Sequence, residues 1–254
     1  MELTASRPTD LLALRRLWQE AFGDTDAFLD DFFSTAYASD RCRVARDGDR
    51  VAAALYWLDC SCEGERIAYL YAIATDGAYR GRGVCRALME DTHVHLLAQG
   101  YTGALLVPSN AGLFDLYRKM GYETATYVRE ICKQAGGEAV SCKRLSKTEY
   151  ANARAALLPR GGVLQTGENL DFLEKQYALY GGDGFCMAAR LADGRLRCAE
   201  LLGDEAVAGG LLVSLGVKEG SFRLMGTSED KPFAMYRSLG DASVRPRYFG
   251  LAFD

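Results

Sequence analysis

Ile67-Ala68-Tyr69-Leu70-Tyr71-Ala72-Ile73-Ala74-Thr75-Asp76-Gly77-Ala78-Tyr79-Arg80-Gly81-Arg82-Gly83-Val84-Cys85-Arg86-Ala87-Leu88-Met89 passes from an aromatic and β-branched run through a Gly-rich bend into a helical pattern. Residues 66–75 read as a strand, 76–83 as a turn, and about 84–98 as a helix ended by Gly100. Glycines at 81 and 83 let a ligand approach the backbone closely, and the helix start offers unpaired N–H groups at a positive dipole end. Together these make a phosphate site. Arg80 and Arg82 add charge that can meet a pyrophosphate or an outer phosphate.

Two phosphate-binding motifs fail here. A Walker A loop requires a Lys-Ser/Thr pair that is absent. The dinucleotide fingerprint requires a third glycine where Arg86 stands, and no acidic ribose partner is evident. The segment instead resembles motif A of the GCN5-related N-acetyltransferases (the GNAT family), [QR]-x-x-G-x-[GA], as Arg80-Gly81-Arg82-Gly83-Val84-Cys85. Downstream, Asn110 and then Leu116-Tyr117-Arg118-Lys119-Met120-Gly121-Tyr122 look like that family's N…LYxKxGF element. The likeness spans about residues 1–132 in element order. It departs at Cys85, where the family carries Gly or Ala, and a small loss of affinity is expected there.

The resemblance implies an α/β (α+β) fold, a mixed and mostly antiparallel sheet flanked by helices, with acetyl-CoA as co-substrate. It implies that the pantetheine arm pairs with the strand at Ile73, Ala74 and Thr75. The pyrophosphate would sit on the amides of Gly81, Arg82, Gly83, Val84 and Cys85, near Arg80. Asn110 would hydrogen-bond the pantetheine with Phe114 beside it, and Tyr117 would act as general acid on the departing sulfur. Ordinary pKa values of about 10 for tyrosine and about 8.5 for a thiol make that transfer uphill by ~2 kcal/mol, a deficit a site can offset. The implied reaction is direct acetyl transfer to an amine of a small molecule or peptide. The alternative is an acyl-CoA-binding or regulatory module without turnover.

The general base is less evident. By alternation the strand's acceptor face is Ile67, Tyr69, Tyr71 and Ile73, with no carboxylate, while Glu65 lies at the strand's start. Asp24, Asp26, Asp30 and Asp31 sit where two helices meet. The terminal run Tyr248-Phe249-Gly250-Leu251-Ala252-Phe253-Asp254 is almost wholly apolar, unlike a frayed tail. Two readings fit it: an edge strand finishing the second domain, or insertion into the first domain's cleft, where Asp254 and the chain terminus would supply the base.

Composition sets the outer limits. The chain has 254 residues, 49% hydrophobic and 25% charged, enough for one large or two small domains with ordinary cores. The net charge of −4 argues against nucleic acid and anionic membranes as partners, and no apolar run spans a bilayer. The N-terminus carries no export signal, so a cytoplasmic protein is expected. Eight scattered cysteines and two histidines lack metal-ligand spacing, so no metal is expected. Oligomeric state and acceptor identity are not legible.

Residues 1–133 read as the catalytic domain, 134–145 (with Gln134-Ala135-Gly136-Gly137-Glu138) as a linker, and 146–254 as a second, smaller α/β domain. Helical patterns at 146–158 and 168–180, a hairpin at Asp193-Gly194, a helix near 204–215 and a strand at 221–225 repeat the order of the first half. At an offset of 119, Ser109, Phe114, Tyr117, Arg118 and Gly121 fall on Ser228, Phe233, Tyr236, Arg237 and Gly240. A degenerate second copy without a phosphate turn, walling the acceptor cleft, is expected.

Overall fold

The computed structural model describes residues 1–241 and 244–253. Strands β1 (Glu2–Ala5), β2 (Cys42–Asp47), β3 (Arg50–Cys62), β4 (Glu65–Thr75) and β5 (Gly103–Leu106) alternate with helices α1 (Leu11–Phe22), α2 (Asp26–Thr35), α3 (Val84–Ala98) and α4 (Ala111–Arg118). Then follow β6 (Glu123–Thr124), β7 (Tyr127–Gln134), β8 (Lys143–Arg144), α5 (Lys147–Leu157), β9 (Leu164–Gln165), α6 (Glu168–Gln176) and β10 (Ala178–Gly182). The chain continues through β11 (Phe185–Ala192), β12 (Arg195–Gly203), α7 (Ala208–Ser214), β13 (Glu219–Met225), β14 (Lys231–Pro232) and β15 (Met235–Ser238).

Local chemistry sets the helix ends. Gly23, at φ 74°, closes α1 in the left-handed conformation that a side chain would resist. Thr25 caps α2 by accepting from the Phe28 amide at 3.2 Å. Ser146 and Glu149 form a reciprocal capping box on α5.

The strands make two sheets, ordered β1-β2-β3-β4-β5-β15-β6, with β9 on β3, and β14-β7-β13-β12-β11-β10-β8. The fold is therefore mixed α/β with mostly antiparallel sheets and flanking helices. One core packs α1, α2, α5, α6 and the C-terminal segment between the sheets, through Trp18, Phe32, Tyr56, Phe172, Tyr248 and Phe249. A second lies under α3 and a third under α7.

The sheets do not divide the chain at residue 133. After β6, strand β7 leaves the first sheet to pair with β13 from Val128↔Met225 to Gln134↔Glu219. In return β15 enters the first sheet between β5 and β6. The exchanged segments cross at Thr126 and Ala234, both fully buried. There the Ala125 and Thr126 amides donate to the Ala234 carbonyl at 2.9 and 3.2 Å, and the Ala234 amide donates to Thr126 Oγ1 at 3.1 Å. A Cβ on Gly103 would lie 2.2 Å from the Tyr236 hydroxyl, so β5 needs its glycine for β15 to lie beside it. The 134–145 stretch is pinned rather than loose, because Ala135 donates to the Lys218 carbonyl and Ser214 Oγ donates to the Val140 carbonyl.

The second half repeats the first in topology. Helices α5 and α6, antiparallel β10-β11-β12, crossover helix α7 and a parallel β12–β13 pair follow the order α1, α2, β2-β3-β4, α3 and β4–β5. The 119-residue offset itself is corrected: it matches helix α4 with residues 230–237, which hold β14 and most of β15 rather than a helix.

Candidate active site

Strands β4 and β5 pair in parallel only from Ile67↔Gly103 to Tyr69↔Leu105, then part. Both strands contribute to the parting. β5 ends at Leu106, two residues before Pro108. β4 carries a bulge facing Ala54–Tyr56 on β3, with Ala72 at φ +47°, an unfavourable conformation for a residue with a Cβ. Among the described residues, the β5-facing edge of β4 beyond Tyr69 has no strand partner, and an extended chain of amides can lie there. The bulge also breaks the expected alternation. Tyr69 and Tyr71 face the inter-sheet core as read, but Ile73 packs on the α3 side, and Ala74 turns to the inter-sheet core in its place.

Downstream, Asp76 organises the turn by accepting from the Ala78 amide at 2.9 Å and from Arg50 at 2.6 Å. These bonds hold its carboxyl below the usual range. Arg82 lies over the Tyr79 ring at 5.7 Å, and Arg80 Nε donates to the Thr75 carbonyl at 3.0 Å. Gly81 (φ 73°) and Gly83 (φ 77°) are exposed, and a Cβ on either would meet nothing within 4 Å. Gly83 caps α3 without a side chain, so the first-turn amides of Val84 and Cys85 keep their donors for an anion. The turn thus fits a pyrophosphate by backbone conformation, open space and free donors. Cys85 is half-buried, and burial pushes its thiol pKa up, opposite to what a nucleophilic thiolate needs.

From the parted strands a cavity of about 760 Å³ runs inward between the halves of the molecule. Ile73, Asn110, Phe114 and Tyr117 line it, so four of the residues singled out from the sequence converge there; Ala74, Thr75 and 80–85 lie outside its wall. Asn110 caps α4, its side-chain carbonyl accepting from the Leu113 amide at 3.2 Å, which leaves its NH₂ group to donate elsewhere. Tyr117 is buried, 5.9 Å ring to ring from Tyr122. Burial, with a smaller contribution from nearby Cys85, raises its hydroxyl pKa well above the ordinary value, which keeps it a hydrogen-bond donor but makes it a weaker acid than an exposed tyrosine.

The inner wall is aromatic, formed by Trp18, Phe28, Tyr69, Tyr71, Phe233 and Phe253. Asp24 is the carboxylate among its described lining residues, held by the Trp18 indole N–H at 2.8 Å. The other helix-elbow acids are engaged elsewhere: Asp26 with Gln19 and Arg15, Asp30 with Arg15, and Asp31 with Gln176.

The C-terminal segment enters this cavity. Tyr248 and Phe249 are buried, Gln165 donates to the Leu251 carbonyl at 2.8 Å, and Tyr71 donates to the Phe253 carbonyl at 2.9 Å. Phe253 packs on Phe172 with ring centroids 4.9 Å apart. The segment is not a strand of the second sheet. Asp254 lies outside the described residues.

Sequence reasoning missed Gln176, Tyr177 and Arg190 on the cavity wall. They come from the second half, and no motif marks them. Among the described residues no group of three potential metal ligands occurs, and no helix is long and apolar enough to cross a membrane.

A turn with free backbone donors thus stands beside parted parallel strands, and a half-open cavity runs inward from those strands. Residues 2–125 match the family model described as an acetyltransferase (GNAT) domain. Solved structures extend the likeness over both halves. A GCN5-related N-acetyltransferase from Kribbella flavida superposes with a TM-score of 0.71 at 19% identity, covering 94% of this chain and 72% of that one. Eis1 from Mycobacterium abscessus gives 0.68 at 13%, covering 94% and 74%. A putative acetyltransferase from Pyrococcus horikoshii gives 0.64 at 12%, covering 99% and 95%. At these identities the likeness is one of fold. No curated protein matches the chain significantly.

Proposed function

We propose that this protein transfers the acetyl group of acetyl-CoA directly to the nitrogen of an amine on a small molecule or peptide. The observation that carries this reading is the placement of Tyr117, a buried phenol, on the cavity that begins where β4 and β5 part. In this reading the first half holds the donor and the second half walls the acceptor.

The turn amides of Gly81 to Cys85 bind the pyrophosphate, with Arg80 and Arg82 adding charge. The unpaired edge of β4 around Ile73 to Thr75 accepts the pantetheine amides, and the Asn110 NH₂ donates to a pantetheine carbonyl beside Phe114. Asp24 attracts the cationic amine into the aromatic chamber. Once deprotonated, the amine nitrogen attacks the thioester carbonyl carbon, and a C–N bond forms as the C–S bond breaks. A main-chain N–H of β4 stabilises the oxyanion, a donor typically worth ~3 kcal/mol. Tyr117 delivers its proton to the sulfur, and the amine proton passes to a carboxylate. Asp254 is proposed for that last role because Phe253, its neighbour, already sits at Tyr71 inside the cavity.

Release of free thiol from acetyl-CoA, followed over a panel of amines, tests the reading. Thiol release that depends on an amine and yields the acetylated amine supports it. Tight acetyl-CoA binding with no amine-dependent release across the panel replaces it with a non-catalytic acyl-CoA-binding protein.

A further inference from the structure

A second cavity, of about 460 Å³, lies on the second sheet and shares Tyr177 and Arg190 with the first. None of the residues assigned above to the coenzyme lines it. Its floor is a row of side chains across neighbouring strands. The register sets Arg190 on β11 directly opposite Arg197 on β12, and Arg197 opposite Ser221 on β13. Arg195 and Arg223 also line the cavity.

Two like charges facing each other across adjacent strands repel, and a fold keeps such a pair only at a cost. The nearby acids are unevenly shared. Arg195 pairs with Glu219 at 2.6 Å, Arg223 stands 3.8 Å from Glu130, and Arg197 has only the exposed Asp193 at 3.7 Å. Among the described residues, no carboxylate lies within 4.0 Å of Arg190. Its guanidinium rests over the Tyr177 ring at 5.2 Å, an arrangement that fixes the planar fork while leaving its edge donors available. Arg190 therefore stands at the junction of the two cavities, half-buried and oriented, with a second arginine opposite.

Resting on the acetyl-transfer reading, we infer that the acceptor is an amine whose far end is anionic, a carboxylate or a phosphate, which the Arg190 fork holds where the two cavities meet. The acetylated nitrogen sits in the aromatic chamber, and the anion offsets the Arg190–Arg197 repulsion. Arg190 acts here as a specificity-determining residue remote from the reacting atoms.

The test uses the full chain with coenzyme A bound, so that binding is read without turnover. Calorimetry compares 6-aminohexanoate, 6-aminohexyl phosphate and the neutral 6-aminohexanamide. The acid or the phosphate is expected to bind at least tenfold more tightly than the amide. Whichever binds more tightly identifies the anion. Arg190→Gln should collapse that preference toward one, Arg190→Lys should restore part of it, and added salt should erode it. An unchanged thermal melt for Arg190→Gln shows that the variant is folded. Binding of both anions no tighter than that of the amide by the natural protein, absence of binding by both anions, or a preference that survives Arg190→Gln overturns the inference. Thiol release with the same amines separates the two claims. A preference for anions without acetylation defeats only the proposed activity, whereas acetylation without preference defeats only the anion site.

Discussion

The Tyr71 hydroxyl donates a hydrogen bond to the Phe253 carbonyl at 2.9 Å, joining a strand of the first half to a segment 182 residues later. This bond, with Phe253 packed on Phe172, Tyr69 and Tyr71, makes the C-terminal segment a wall of the cavity. Phe253→Ala removes a nearly buried ring and should cost about 3 kcal/mol of stability, read as a lower urea midpoint. Asp254→Asn alters only the proposed base. It should leave the midpoint in place and cut turnover by ~10²-fold or more. Full turnover in Asp254→Asn rules out its side chain as the base.

Tyr117→Phe tests the acid. The hydroxyl has no role in the proposed grip on the coenzyme, so coenzyme A affinity should stay within about twofold, while turnover drops by ~10²-fold. A variant with unimpaired turnover would reduce Tyr117 to a packing residue against Tyr122.

The exchanged strands bear on how the molecule is divided. A fragment of residues 1–133 lacks β15, β13 and β14, leaving one edge of β5 and all that remains of β7 unpaired. Open strand edges of this kind invite association. The fragment is expected to aggregate or melt without cooperativity, whereas the full chain should show one cooperative transition. A soluble, cooperatively folding 1–133 fragment would mean that β15 is dispensable to the first sheet.

His93 sets an acid limit on stability. It is buried on α3, with Nε2 2.6 Å from the Tyr122 hydroxyl, and its pKa is lowered from 6.5 to about 4, first by burial and then by Arg237. The folded form therefore holds a neutral ring where the unfolded chain takes up a proton. The stability this represents is complete above pH 6.5 and is lost as pH falls toward 4. About 2 kcal/mol should disappear between pH 7.5 and pH 5. His93→Gln should flatten that fall in urea titrations at the two pH values; an equal fall in both proteins would assign the acid sensitivity to other groups.

The parts of the fold written in short-range signals were legible. The Gly81–Gly83 turn, α3 over 84–98, strand β4 and the Asp193-Gly194 hairpin depend on glycine conformation and local periodicity, which act within a few residues. Two features depend on more. The Ala72 bulge redirects Ile73, yet Ala72 sits in an apolar run that looks like any strand. The choice of β7 to pair with β13 is made by a seven-residue register across more than eighty residues of chain, beyond the reach of any local pattern. The site divides the same way. Asn110, Phe114 and Tyr117 belong to a contiguous motif, whereas Arg190 and Gln176 reach the cavity only because the second half folds over the first.

The crossing at Thr126 and Ala234 also governs timing. On the ribosome, every motif that resembles an acyl-carrier site emerges within the first half, but β5 must wait for β15 before its sheet is complete. The nascent chain therefore carries its donor turn for more than a hundred residues of translation without a finished seam. A chain released before β15 is made therefore lacks the strand that lies between β5 and β6.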